Sequence, residues 1–323
     1  MAGARTLNNV TCPTPSEVYI IKPSLNKGLG VFAARTLQPG TPIIREGPLV
    51  TILPPPVADG ADYPREAIMS SLRNAFSSLS ESDQSLYLSL YAHVFPTEQL
   101  QTDEDYLMPI FRSNSFNTGD SFGLFPKVSR INHSCRPNAA YFWNQRLGKR
   151  IVYAAREIKE GEEILVSYIP LLMTKAERAM RLNQYGFKCD CDACAASMGD
   201  TVVSDSRRAE IRRLMESLES DLSAEVGSGV VAKRKAQRLV NECLKLVSLV
   251  EAEQLVDYYA QAYRLASSSH ARAELWEQGA YWALKSLEFR EMADEFSPEA
   301  YEMRKAAASF TLSSKANLKP DSQ

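Results

Sequence analysis

The chain has 323 residues, 45% of them hydrophobic, and a formal net charge of −2. It is long enough for two domains with separate cores. Because 37 basic residues are nearly balanced by 39 acidic ones, there is no electrostatic reason to expect direct binding to nucleic acid. No apolar run approaches the length of a membrane span, and the polar N-terminus has no signal-peptide core. We therefore expect a monomer of the nucleus or cytoplasm that makes no membrane contact.

Short strand-like runs dominate the chain from residue 17 to about residue 168. β-branched and aromatic residues, bounded by turn residues, favour strands at 18–21, 30–34, 42–44, 49–53, 140–143, 151–154 and 164–167. Between residues 62 and 100 the apolar spacing becomes helical, and Ser80 is the predicted N-cap between two inserted helices. A further short helix is predicted over 175–184, with Thr174 as its cap.

The strand pattern stops after residue 200. Residues 205–316 are rich in Ala, Leu, Glu and Arg, and their apolar positions recur with the helical period, which predicts about five helices. The segment from residue 259 to residue 283 resembles helix-turn-helix repeats of the tetratricopeptide kind. We predict an all-α C-terminal domain over 201–316 that packs beside the cysteine-rich segment before it. Polar tails are predicted at 1–16 and 317–323.

Four of the six cysteines lie in two short motifs. Cys135 ends the sequence RINHSC, and Cys189, Cys191 and Cys194 form a CxCxxC segment. Four thiolates satisfy a closed structural zinc site, and the reduced thiols of the cytosol or nucleus favour a metal over disulfides. The alternative is a set of unrelated buried cysteines, which are common in protein cores. We predict a zinc ion that shapes a site without performing its chemistry.

Four motifs follow one another along the chain: KGLG at 27–30, RINHSC at 130–135, GEEILVSY at 161–168 and the CxCxxC segment. Together they resemble the SET-domain lysine methyltransferases over roughly residues 17–195. The SMYD-type branch is most similar, because there an NHSC cysteine completes a zinc site with a CxCxxC post-SET segment. A helical insert at about 58–108 stands where that branch has a MYND zinc finger. The chain thus resembles a MYND-less, fungal-type SET protein.

The resemblance implies a mixed α+β fold. A SET domain would occupy residues 17–172 and a zinc-bound post-SET segment residues 173–200, with the helical domain following. The residues implied to bind S-adenosylmethionine are Lys27, Gly28, Leu29, Gly30, Asn132, His133 and Phe187. Of these, His133 would act largely through its backbone, and Phe187 would stack on the adenine. Tyr168 matches the catalytic tyrosine, Tyr185 the second tyrosine of the lysine channel, and Phe116 a residue that lines this channel.

The activity that the resemblance implies is methyl transfer from S-adenosylmethionine to a lysine ε-amine of a protein substrate. Two other functions stay open at this point. The chain could be a SET-shaped scaffold without activity whose helices bind partners, or a SET-fold enzyme that acts on a free amine or small metabolite. Intact Asn132, His133 and Tyr168, together with the four cysteines, favour an enzyme.

Overall fold

The computed structural model describes residues 18–55, 64–225 and 229–317. The predicted tails, apart from residue 317, and residues 58–63 of the predicted insert lie outside these ranges. The strands are β1 (Tyr19–Ser24), β2 (Gly28–Ala33), β3 (Pro42–Glu46), β4 (Val50–Ile52), β5 (Ser115–Asn117), β6 (Phe122–Leu124), β7 (Asn132–His133), β8 (Ala139–Asn144), β9 (Lys149–Ala154) and β10 (Glu163–Val166). Each predicted strand-like run overlaps one of them.

The helices are α1 (Arg65–Ser77), α2 (Glu81–Leu88), α3 (Leu107–Asn114), α4 (Lys175–Leu182), α5 (Asp192–Ala195), α6 (Met198–Ser223), α7 (Gly229–Ala252), α8 (Val256–Arg272), α9 (Trp276–Asp294) and α10 (Pro298–Asn317). The two predicted caps are confirmed, because the Ser80 and Thr174 side chains accept hydrogen bonds from the first turns of α2 and α4. Within the described ranges, no helix combines the length and apolar content that crossing a membrane requires.

The strands form small sheets with the orders β1-β2-β10-β7, β3-β9-β8 and β4-β6-β5. In the first sheet, β1 pairs antiparallel with β2 from Tyr19 opposite Ala33 to Ser24 opposite Gly28. β2 also pairs with β10, where Val31 lies opposite Ile164. This register brings the KGLG motif close to the GEEILVSY motif, although more than a hundred residues separate them in the chain.

Contacts along the backbone divide the chain into two compact units. The first unit is Met1–Asn132, Tyr141–Val166 and Gln184–Gly186, and the second is His133–Ala140, Ser167–Asn183 and Phe187–Gln323. In the first unit, the inserted helices α1–α3 share a core with β4 and β6 that includes Leu72, Tyr87, Ile110 and Leu124. The buried Tyr87 hydroxyl donates to the carbonyl of Leu107 at 2.7 Å, so its polar atom is satisfied inside this core.

The second unit has one core that joins the cysteine-rich segments to the C-terminal helices. Cys135, Leu171 and Ala193 belong to the same buried cluster as Leu214 of α6 and Leu246 of α7. The prediction that the helical region packs beside the CxCxxC segment is therefore confirmed. The five helices α6–α10 match the predicted number, and the mixed α+β fold class is confirmed as well.

Candidate active site and metal centre

In the first unit, the side chain of Asn132 is fixed by two acceptors. Its amide nitrogen donates to the carbonyl oxygen of Leu29 at 3.1 Å and to a carboxylate oxygen of Glu163 at 2.8 Å. The ammonium of Lys27 lies 3.9 Å from the same carboxylate. Because both amide hydrogens of Asn132 are donated, the orientation of its side-chain amide is set. The amide oxygen remains available as a hydrogen-bond acceptor. The KGLG motif and Asn132 thus form one hydrogen-bonded set.

The two glycines of this motif are needed for different reasons. Gly28 has a φ of +73°, a conformation that favours glycine, and no atom lies within 4 Å of the position of an added Cβ. Gly30 has ordinary backbone angles, but a Cβ there would overlap the carboxylate of Glu163 and lie 3.1 Å from the amide nitrogen of Asn132. A side chain at residue 30 would therefore push Glu163 and Asn132 away from the strand.

Phe116 belongs to a group of aromatic rings in the first unit. Its ring centroid lies 5.4 Å from that of Tyr141 and 5.9 Å from that of Phe125, with edge-to-face geometry in both pairs. The buried guanidinium of Arg150 lies 5.1 Å from the Phe116 centroid and also donates to the carbonyl of Asn117. The ring of Phe116 is therefore held from several sides.

Tyr185 is positioned by the loop after α2. The Tyr91 hydroxyl donates to the Tyr185 carbonyl at 3.0 Å. The next residue, Gly186, has a φ of +75°, and a Cβ there would overlap the imidazole of His93. Burial raises the pKa of the Tyr185 phenol, so this hydroxyl stays protonated at neutral pH.

In the second unit, the imidazole of His133 bridges the backbone of Tyr168 and a cysteine sulfur. Its Nδ1 accepts from the Tyr168 backbone N–H at 3.1 Å, and its Nε2 lies 3.4 Å from the sulfur of Cys135. Since Nδ1 is an acceptor, the neutral ring carries its proton on Nε2 and donates to the sulfur. The Phe187 ring stands edge-on to Tyr168, with centroids 6.2 Å apart. The sequence had assigned His133 mainly a backbone role and missed this bridge.

Cys135, Cys189, Cys191 and Cys194 come together as a possible metal site. Their sulfur atoms all lie within 4.8 Å of one another, and those of Cys135 and Cys194 are 3.6 Å apart. Zinc–sulfur bonds of 2.3 Å in a tetrahedron would separate the sulfurs by about 3.8 Å. The donor set and its spacing therefore fit a tetrahedral metal ion, as the spacing of the cysteines in the sequence had predicted.

The four cysteines share hydrogen bonds with one another and with the backbone around them. The backbone N–H of Cys135 donates to the sulfur of Cys191 at 3.4 Å. Hydrogen bonding within this group, that with Cys135 above all, lowers the pKa of Cys191 and raises the pKa of Cys189. Burial disfavours the charged form of Arg178, but its interactions with Cys135 and Cys194 raise the pKa of its guanidinium. Thiolates are the form of cysteine that binds zinc. A backbone N–H donor and a nearby guanidinium would both stabilise thiolates at a site that holds a metal ion.

A second buried arginine anchors the loop that carries Cys135. Arg208 of α6 donates to the carbonyl of Leu171 at 2.8 Å and to that of Cys135 at 3.0 Å. Its Nε lies 3.3 Å from the carboxylate of Glu253, and both side chains are fully buried. Arg136 lies 3.3 Å from the same carboxylate. Helix α6 and the residue that follows α7 are thereby tied to the loop that carries Cys135.

The predicted site residues fall into two groups. The first unit contains Lys27, Gly28, Leu29, Gly30, Phe116, Asn132 and Tyr185, and the second contains His133, Tyr168, Phe187 and the four cysteines. The motifs of the sequence assign no role to Glu163, Arg178, Arg208 or Glu253. Glu163 lies inside a recognised motif and could have been found from it. The other three stand among many charged helical residues, and only the folded structure distinguishes them.

Comparison with known proteins finds a family model that covers part of these residues. Residues 28–169 match the SET domain family model. The resemblance to SMYD-type and related proteins is also confirmed. Histone-lysine N-methyltransferase set5 of Schizosaccharomyces pombe is 32% identical over 203 residues, which are 62% of this chain and 57% of that protein. Human N-lysine methyltransferase SMYD2 is 32% identical over 161 residues, 47% of this chain and 35% of that protein.

The chain thus spans little more than half the length of set5 and about a third of that of SMYD2. Among solved structures, the SET domain of LSMT bound to lysine and AdoHcy aligns with 95% of this chain and 89% of its own, at 13% identity. The TM-score of that alignment is 0.38.

Proposed function

We propose that the protein is an S-adenosylmethionine-dependent methyltransferase that acts on lysine ε-amines of a protein substrate. The observation that carries this proposal is the SET domain with its motif residues in defined contacts. Asn132 is oriented by Leu29 and Glu163, and Tyr168 is held through its backbone by His133. The relatives named as histone-lysine and N-lysine methyltransferases support the same class of reaction. Such substrates fit a protein of the nucleus or cytoplasm.

The cofactor would be held mainly by backbone groups and two side chains. We assign Lys27 to Gly30 to the methionine part, because the glycines leave the backbone of this motif uncovered. The oriented amide oxygen of Asn132 would accept a hydrogen bond from the cofactor's ammonium group. His133, through its backbone, and the ring of Phe187 would contact the adenine. When bound, the cofactor supplies a methyl group already activated by its sulfonium.

The remaining residues would prepare the lysine amine. A lysine has a pKa of about 10.4 in water, and only its neutral form can attack a methyl carbon. We assign Phe116, Tyr168 and Tyr185 to an apolar channel that disfavours the ammonium form and releases its proton to solvent. Tyr168 would orient the amine in line with the methyl group, and well-oriented reactants gain on the order of 7–11 kcal/mol. No general base is required of the tyrosine.

We further propose that the four cysteines hold one structural zinc ion. The zinc would fix the segment that carries Phe187 and would take no part in the transfer. Protein purified without chelator should contain about one equivalent of zinc, which Cys191→Ser should abolish. Well-folded protein that binds S-adenosylmethionine without any zinc would contradict this assignment.

Two variants test the proposed function, because each should lose a different property. Tyr168→Phe should lose turnover, and Asn132→Ala should lose cofactor binding. The first variant keeps the ring and loses only the hydroxyl, so turnover should fall by orders of magnitude while cofactor binding stays nearly unchanged. The second removes the oriented amide, so the cofactor complex itself should weaken. Calorimetry with S-adenosylmethionine and single-turnover transfer to a mixed protein substrate measure the two effects separately.

The wild-type protein in the same experiment separates the proposal from the two other functions. Cofactor binding with transfer to protein lysines supports it. Binding with transfer only to small amines would favour a metabolite enzyme. The absence of any cofactor binding by folded, metal-loaded protein would favour a scaffold.

A further inference from the structure

The segment that carries Tyr168 is not held by regular secondary structure. Residues 167–174 lie wholly within the described ranges and form neither helix nor strand between β10 and α4. Ile169 and Leu171 of this segment are nevertheless buried. Buried peptide groups need hydrogen-bond partners, and outside helices and sheets side chains commonly supply them. The position of this segment therefore depends on the side chains that its backbone meets.

Both backbone groups of Leu171 are bound by side chains of the C-terminal helices. The Leu171 N–H donates to the hydroxyl oxygen of Tyr258, on α8, at 3.2 Å. The Leu171 carbonyl accepts from the guanidinium of Arg208, on α6, at 2.8 Å. Because Leu171 follows Tyr168 after only two intervening residues, these contacts fix the backbone close to the proposed catalytic tyrosine.

Arg208 joins this segment to the loop that carries His133 and Cys135. Its guanidinium also donates to the Cys135 carbonyl at 3.0 Å. In the same loop, Nδ1 of His133 accepts from the Tyr168 backbone N–H at 3.1 Å. The two segments are thus connected by two hydrogen-bonded bridges, one through His133 and one through Arg208. Together these bridges restrict the movement of Tyr168 relative to the loop.

The guanidinium of Arg208 is itself held in place by a buried anion. Arg208 and Glu253 are both fully buried, and Nε of the arginine lies 3.3 Å from the carboxylate. The hydroxyl of Ser204 donates to the same carboxylate at 2.6 Å. Charged donors form stronger hydrogen bonds than neutral ones, so the contacts from Arg208 to the two carbonyls are strong. Arg208 is therefore a fixed donor with a defined direction.

We propose that Arg208 and Tyr258 are positioning residues for the methyl transfer, which fix the Leu171 peptide and through it the direction of Tyr168. This inference rests on the proposed function and adds to it two residues outside the SET motifs. Both act through the backbone of the segment, and neither is assigned a contact with substrate or cofactor. Because Tyr168 is assigned to orient the amine, a displaced segment lowers the rate of transfer. A misplacement of about 1 Å can cost on the order of 100-fold.

The main test variant is Tyr258→Phe, which keeps the ring and removes only the oxygen that accepts from Leu171. Tyr263→Phe is the matched control, because Tyr263 lies on the same helix and its hydroxyl donates instead to Glu251 at 2.7 Å. Single-turnover transfer from S-adenosylmethionine to the mixed protein substrate gives the rate, and calorimetry gives the dissociation constant of the cofactor. We expect Tyr258→Phe to transfer about 10-fold more slowly with an unchanged dissociation constant. The control should match the wild-type protein in both.

Arg208→Lys tests the second residue, because lysine keeps the charge beside Glu253 but lacks the planar fork that spans two carbonyls. Its transfer should be slower than that of the wild type by about 10–100-fold, again with little change in cofactor binding. A wild-type rate in either folded variant would overturn the inference. An equal loss of cofactor affinity in Tyr258→Phe would overturn it as well, since that pattern indicates a general loss of structure. If Arg208→Lys does not fold, Tyr258→Phe decides alone. A wild-type protein that binds the cofactor and transfers nothing to protein would instead refute the proposed function.

Discussion

Replacing Glu253 by glutamine should strongly destabilise the second unit. The fully buried carboxylate accepts from Ser204 at 2.6 Å and pairs with Arg208 at 3.3 Å. Glutamine keeps the volume and a hydrogen bond to Ser204, but it leaves the guanidinium of Arg208 buried without its anion. Removing one partner of a buried ion pair costs about 3–5 kcal/mol. We expect this loss in the free energy of unfolding.

The double variant Arg208→Met/Glu253→Gln separates the ion pair from simple packing. Arg208→Met alone also loses hydrogen bonds to two backbone carbonyls, each worth about 1.5–3 kcal/mol for a charged donor. Because the double variant no longer buries an unpaired charge at either position, its loss should be smaller than the sum of the single losses by about 1–3 kcal/mol. Glu210→Gln is the control, since Glu210 pairs with Arg213 at the surface and should cost less than about 1 kcal/mol.

Urea unfolding followed by tryptophan fluorescence measures these free energies for the correct unit. Trp276 and Trp282 lie in the second unit and Trp143 in the first, so a Trp143→Phe background reports on the second alone. All measurements are made at neutral pH with zinc present at one concentration. Losses that add to within about 0.5 kcal/mol would refute the view that Arg208 and Glu253 act as a pair.

Two further predictions concern the first unit. Gly186→Ala should lower the free energy of unfolding more than Gly161→Ala. Both glycines have a positive φ, but only at residue 186 would the added Cβ overlap His93. Urea titrations of the two variants measure the difference. The hydrogen bond from Arg112 lowers the pKa of Glu98 from 4.5 to about 2, so the stability that Glu98 confers is present above pH 4.5 and is lost as the pH falls towards 2. Glu98→Gln should flatten this acid-dependent part of the unfolding curve.

Much of the fold could be predicted because the relevant signals are local. Strands such as β2 and β9 show runs of β-branched and apolar residues bounded by turns, and such runs need no tertiary information. Ser80 and Thr174 were recognised as caps because an N-cap hydroxyl acts on backbone groups within its own turn. The CxCxxC spacing identified three sulfurs of the quartet in the same way, since a short turn suffices to bring them together.

The residues that sequence analysis missed contact residues that lie far away in the sequence. Their neighbours in the sequence carry no motif that would distinguish them. Arg178 and Arg181 lie three residues apart in the same charged helix, yet Arg178 is buried and Arg181 is exposed. The closeness of Gly186 to His93 is likewise invisible, because glycine before a phenylalanine is an unremarkable turn signal. The burial and contacts of these residues depend on which segments pack against each other in the fold. Amino-acid composition and hydrophobic periodicity do not determine that packing.

The packing of the second unit gives the C-terminal helices a role that their sequence did not suggest. A cysteine quartet with one ligand far upstream needs something to hold that ligand in place before a metal binds. Arg208 supplies this by donating to the carbonyl of Cys135, and Glu253 keeps the arginine's charge buried. Because Cys135 also shares a core with α6 and α7, its sulfur is brought to the other three by the same contacts that fold the helices. The helical region thus holds Cys135 beside the other three cysteines, and a defect in the helices should loosen the cysteine group.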